Sequence, residues 1–68
     1  MGMKEFQITL KAARVNAGYT IIKASKLLGV GKDTLIKWEK HPEKISIEFA
    51  SKLASVYKCP LNVIYFGD

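Results

Sequence analysis

The feature that most constrains this chain is the run TIIKASKLLGVGKDTLIKWEK, Thr20 to Lys40, in which two helical patterns have only Gly29-Val30-Gly31 between them. Thr20 caps the first, because its hydroxyl can accept from an amide of the opening turn, and Gly29 ends it in a left-handed conformation that needs no Cβ. Ala24, Leu27 and Leu28 are expected to face inward. In the second segment Asp33 lies near the positive N-terminus and Lys40 near the negative C-terminus, both favourable against the helix dipole. Two short helices and a tight turn follow.

The flanks read the same way. Thr9 precedes LKAARVNAG, where Leu10, Ala13 and Ala17 recur at helical spacing and Gly18 supplies the stop. Pro42 drives His41 out of the helical region, so HPEKI is a loop. Ser46 caps IEFASKLASVY, whose inward stripe is Phe49, Ala50, Leu53 and Val56 or Tyr57, with Ile45 placed to staple onto Ala50. After Lys58-Cys59-Pro60, LNVIYFGD can close as a helical turn or a short strand; helix through about Tyr65 is the expectation. Residues 1–8 form an arm in which Phe6 and Ile8 alternate with polar neighbours, extended and able to lie beside the C-terminal VIYF. Met1-Gly2 ahead of Met3 reads as a cloning remnant. Without repeats, linkers or biased segments, residues 1–68 are expected to form one all-α domain.

At 68 residues the chain is near the size where a single apolar core supports folding with little margin. The lone cysteine, Cys59, rules out an internal disulfide and reads as a small buried hydrophobe, in keeping with a reducing cytoplasm. No Cys/His cluster offers a metal site, and no cofactor is expected. No apolar run approaches the roughly 20 residues of a membrane span, and no signal pattern opens the chain. A soluble cytoplasmic protein without a membrane partner is the expectation. Net charge is +5, and residues 1–45 hold nine basic against four acidic side chains, whereas residues 46–68 hold two of each. The excess therefore lies on one half, suited to a polyanion, and leaves a neutral, more apolar remainder suited to packing or to a partner.

The charge has a face. With successive residues about 100° apart around a helix, Lys32, Ile36, Lys40, Asp33 and Lys37 fall within an arc of about 140°, while Thr34, Leu35 and Trp38 lie opposite. One side is core and the other is a lysine-rich stripe narrow enough for a DNA major groove. A solvated face would carry the lysines equally well, but it gives Ile36 no purpose. In a groove Ile36 can contact a thymine methyl, and Lys32 and Lys37 can reach guanine O6 and N7 or a phosphate. Asp33 has two readings, an acceptor for cytosine N4 or a favourable charge in the first turn. Trp38 reads as core, and His41 as a loop residue without a catalytic companion.

Two short helices across a three-residue glycine-containing turn make a helix-turn-helix unit, whose second helix enters the major groove. On LKAARVNAGYT, ASKLLGVGKDTLIKWE, the following loop, the Ser-capped segment and the final LNVIYFG, the chain resembles the Cro and repressor-type helix-turn-helix domains of phages and bacteria, lambda and 434 repressor domains among them. The resemblance spans Leu10 to about Phe66. It implies a compact five-helix fold, with the helix-turn-helix over residues 20–40 and C-terminal helices over 46–66. It also implies an ion pair between Arg14 and Glu39 that fixes the third helix against the first. Four sites depart from the family pattern. Ile21 stands where a glutamine commonly meets the DNA backbone, Gly31 replaces a capping serine, and Lys40-His41 replaces an Asn-Gly turn. Ser25 stands where alanine is usual, and is small enough for the same contact.

The expected function is that of a sequence-specific regulator of transcription on double-stranded DNA in a bacterial host cell. Thr20, Lys23, Lys26, Gly31, Lys40 and Lys44 would position it on phosphates; Lys32, Asp33, Ile36 and Lys37 would read base edges. One recognition helix reads few base pairs, so an operator calls for a homodimer, with Tyr57, Pro60, Leu61, Ile64 and Phe66 as candidate dimer surface or, equally, as residues that close the core. No small-molecule ligand is expected. The alternative is a protein-interaction module of the same fold, such as a small antitoxin, which the apolar Ile21 and Gly31 would suit. An enzyme is not expected, because no paired carboxylates, nucleophile constellation or phosphate loop is present.

Overall fold

A computed structural model describes residues 7–67 of the chain. The helices are α1 (Leu10–Asn16), α2 (Ile21–Leu28), α3 (Lys32–Lys40) and α4 (Ile47–Tyr57), with short 3-10 turns at Pro42–Lys44 and Leu61–Val63. The part of the arm before Gln7, including Phe6 and the Met1-Gly2 leader, lies outside the described residues.

Local chemistry sets the boundaries. Thr9 Oγ1 accepts from the Ala12 amide at 3.0 Å, Thr20 Oγ1 from the Lys23 amide at 3.1 Å and Ser46 Oγ from the Phe49 amide at 3.2 Å. Each bond satisfies one of the amides that a helix start leaves without an intrahelical partner. Gly29 ends α2 in the left-handed region, at φ 75°. At the end of α4 the same conformation falls to Lys58, at φ 55°, where an L side chain is disfavoured.

The core gathers Leu10 and Ala13 from α1, Ala24 and Leu28 from α2, Leu35 from α3, and Leu53 and Tyr57 from α4, closed by Ile64. Two ring contacts flank it: Tyr19 with Tyr57 at 6.2 Å between centroids, and Trp38 with Phe49 at 5.1 Å. Leu27, expected inside, is instead 40% exposed, and Thr34, expected opposite the charged stripe, is also exposed. Both sit at the margins of their helices' inward arcs, and the neighbouring helices cover only the arc centred on Leu28 and Leu35.

The C-terminal segment departs from the expected helix. Helix formation stops after the turn at Leu61–Val63, and Ile64 then pairs in parallel with Ile8 as an isolated bridge. The Ile8 amide donates to the Val63 carbonyl and the Tyr65 amide to the Ile8 carbonyl, both at 2.8 Å. This pairing supplies partners that a further helical turn would have supplied, and it buries Ile64 to 1% exposure. Four α-helices are present among the described residues, the expected fifth being a three-residue turn. The same packing corrects the expected dimer surface. Tyr57 and Ile64 are core residues at 4% and 1% exposure, because Tyr57 completes the inward stripe of α4 and Ile64 plugs the end of the core. Pro60 and Leu61 are exposed and Phe66 is half-buried.

Candidate nucleic-acid interface

The exposed face of α3 presents Lys32, Asp33, Ile36, Lys37 and Lys40 to solvent, while Leu35 is fully buried, Trp38 is half-buried and the Glu39 side chain points inward. Ile36 is 42% exposed in the middle of this basic face. The sequence alternation of charge and bulk thus becomes a two-sided helix, anchored by Leu35 on one side and free on the other.

Three ties hold α2 and α3 in place. Arg14 Nε donates to Glu39 Oε2 at 2.7 Å, Nη2 reaches Glu39 Oε1 at 3.5 Å, and Nη1 donates to the Tyr19 carbonyl at 2.8 Å. The two charged side chains are only 9% and 11% exposed. One guanidinium therefore joins α1, the loop before α2 and the last turn of α3, in the forked geometry that suits arginine and not lysine. The second tie is Lys52 of α4, whose Nζ donates to the Leu28 carbonyl at 3.1 Å, capping the negative end of α2 just ahead of the turn. The same ammonium lies 5.9 Å from the Phe49 ring centre. The third is the Trp38–Phe49 contact between α3 and α4.

Beneath the ion pair lies Tyr57, whose buried hydroxyl has no hydrogen-bond partner among the described residues. Burial pushes its pKa up from 10.0 to about 12, the Glu39 carboxylate adds to the rise and the Arg14 guanidinium opposes it.

The expected phosphate contacts divide between helix ends and loop. Thr20, Lys23 and Lys26 are exposed on α2, and Gly31, Lys40 and Lys44 are exposed at the two ends of α3 and in the turn that follows. Thr20 Oγ1 is already an acceptor from Lys23, which leaves its proton available to a phosphate oxygen. Gly31 caps α3 without a side-chain bond, so the first-turn amides of α3 remain open to an anion. Ile21 is half-buried.

Sequence reasoning missed Lys52 and Ile47. Lys52 carries no local signature, since its partner is 24 residues away. Ile47 was legible: it lies about 100° from the centre of the α4 stripe at normal helical spacing, and it is 81% exposed.

A helix-turn-helix family model matches residues 10–64. The chain belongs to the helix-turn-helix family, of the Cro and repressor type. In this helix-turn-helix domain α2 and α3 are the paired helices, and Gly29-Val30-Gly31 is the turn. A relative from Pyrococcus horikoshii, described as a proposed HTH-type transcriptional regulatory protein, is 36% identical over 52 residues, which is 76% of this chain and 16% of that protein. The chain thus spans about a sixth of the length of the curated relative it matches. No solved structure matches it significantly. Among the described residues no three His, Cys, Asp or Glu side chains group as they would around a metal ion, and no helix is long and apolar enough to cross a membrane.

Proposed function

We propose that this domain is a sequence-specific regulator of transcription that lays α3 in the major groove of double-stranded DNA in the host cytoplasm. The observation that carries the reading is Ile36, held outward among Lys32, Asp33 and Lys37 on a helix fixed from behind by the Arg14–Glu39 pair. An apolar group in a basic stripe matches a base edge with a methyl group better than it matches water. Lys32, Asp33, Ile36 and Lys37 read bases, and Thr20, Lys23, Lys26, Gly31, Lys40 and Lys44 set position on the phosphates. The domain acts by occupancy, without catalysis or cofactor, and as a homodimer on a two-fold operator. The name borne by the Pyrococcus horikoshii relative supports the regulatory side of this reading.

Selection from a random double-stranded DNA pool at moderate salt is the deciding experiment. The reading requires an enriched motif whose members bind much more tightly than the bulk pool. Retention of DNA without enrichment, or no retention, defeats it and leaves the protein-interaction reading in its place.

A further inference from the structure

A cleft of 380 Å³ lies between the C-terminal ends of α1 and α4, a volume in the range of small-molecule sites. Ala13 and Tyr57 are its buried residues, Ile8, Ala17 and Val56 are half-buried along it, and the Tyr19 ring adds a second aromatic surface 6.2 Å from the Tyr57 ring. Two helices stop here, and a helix leaves its last four carbonyls without an intrahelical amide. Amides of the following turns fold back on some of them, Tyr19 on Arg14 at 3.1 Å and Cys59 on Ala54 at 3.0 Å. The carbonyls of Asn16, Val56 and Tyr57 accept from no backbone amide among the described residues. All three of these residues line the cleft.

We infer that this cleft binds a small neutral aromatic molecule carrying one N–H or O–H donor, of the size and chemistry of indole or a phenol. The apolar sides and the two tyrosine rings take the ring of such a molecule, since aromatic faces and edges pack favourably on one another. A carbonyl only accepts, so the polar group that satisfies Asn16, Val56 or Tyr57 has to donate. Charge selects a neutral occupant. Each helix C-terminus carries about half a negative charge, the exposed Lys58 supplies one ammonium, and none of the described lining residues is acidic. These contributions nearly cancel, which favours neither a cation nor an anion. The Tyr19 carbonyl accepts from Arg14 Nη1 at 2.8 Å, so an occupant touches the residue that anchors the ion pair behind α3. The walls come from opposite ends of the chain, and sequence spacing holds no sign of them. Nothing in the inference uses the groove-facing side of α3, so it does not depend on the regulator reading.

The chain's single cysteine provides the test, because Cys59 lines the cleft and is half-buried there. The rate at which iodoacetamide alkylates it in the full chain is followed by mass spectrometry, with free cysteine as the reference. Indole should slow the alkylation saturably, with half-protection below about 1 mM and no effect on free cysteine. N-methylindole keeps the ring but lacks the N–H, and should need about fivefold more or worse. Ala17→Leu, which fills the cleft from a half-buried position, should abolish protection while circular dichroism shows the helices intact. Should that variant fail to fold, amide spectra of the wild type decide, since indole must shift Asn16, Tyr19 and Cys59 more than it shifts α3. The inference is overturned by an absence of saturable protection, by N-methylindole within about twofold of indole, or by tighter protection from the charged indoleacetate or tryptamine. Unchanged protection in a folded Ala17→Leu, or amide shifts spread evenly over the chain, overturns it equally. No DNA is present, so this outcome and that of the pool selection are separate.

Discussion

Arg14 Nε lies 2.7 Å from Glu39 Oε2, bridging α1 to the last turn of α3 through side chains that are about nine-tenths buried. Glu39 points inward from the same helix whose other face carries Lys32, Ile36 and Lys37. The orientation of the proposed reading head therefore depends on a charge pair beneath it.

Arg14→Leu should cost about 3–5 kcal/mol, because it strands a buried carboxylate and frees the Tyr19 carbonyl. A domain of this size has only several kcal/mol in all, so urea titration should find the variant largely unfolded. Replacing both partners, as Arg14→Leu with Glu39→Leu, should cost less than Arg14→Leu alone, since no buried charge is then left unpaired.

Tyr57 makes stability depend on alkaline pH. Its phenol titrates at 10.0 when unfolded and at about 12 in the folded protein, so the folded state holds the proton longer. That contribution is fully present below pH 10 and is lost as pH rises through about 12, amounting to roughly 2–3 kcal/mol. Tyr57→Phe should remove this part of the decline, and at neutral pH it should be nearly neutral or stabilising because the hydroxyl has no partner to lose. Urea midpoints of the two proteins, measured in parallel against pH, isolate the effect from the other tyrosines and the lysines.

Two kinds of DNA contact should separate by mutation. Ile36→Ala and Lys37→Ala should change which sequences are enriched from a random pool, each at a cost of about 1–3 kcal/mol for the preferred site. Lys44→Ala should weaken all sequences alike and reduce the slope of log affinity against log salt by about 1. Fluorescence anisotropy on a matched and a scrambled duplex, over a salt series, reads both effects.

Lys58 offers a stabilising change. At φ 55° an L residue pays a steric penalty that glycine escapes, partly offset by the greater freedom of glycine in the unfolded chain. Lys58→Gly should therefore gain about 0.5–1 kcal/mol and raise the melting midpoint by a few degrees. Lys58→Ala, which keeps the Cβ, should not.

Helix starts and stops could be read directly from the chain, because capping is a matter of three or four residues: Thr9, Thr20 and Ser46 each bond an amide three positions on, and Gly29 needs no distant partner. The two-sidedness of α3 was legible for the same reason, since 3.6-residue periodicity puts Leu35 opposite Lys32 and Lys37. Only the tertiary structure decided what lay between distant segments. Ile8 and Ile64 pair across 56 positions, which turned an expected final helix into an extended end and took Ile64 into the core. Lys52 capping α2, Leu27 left at the surface and the cleft between the ends of α1 and α4 belong to the same class. Each depends on where a neighbouring helix happens to end, and local propensity is blind to that, because the energy of a contact is set by the partner's position and not by the residue's own neighbours in sequence.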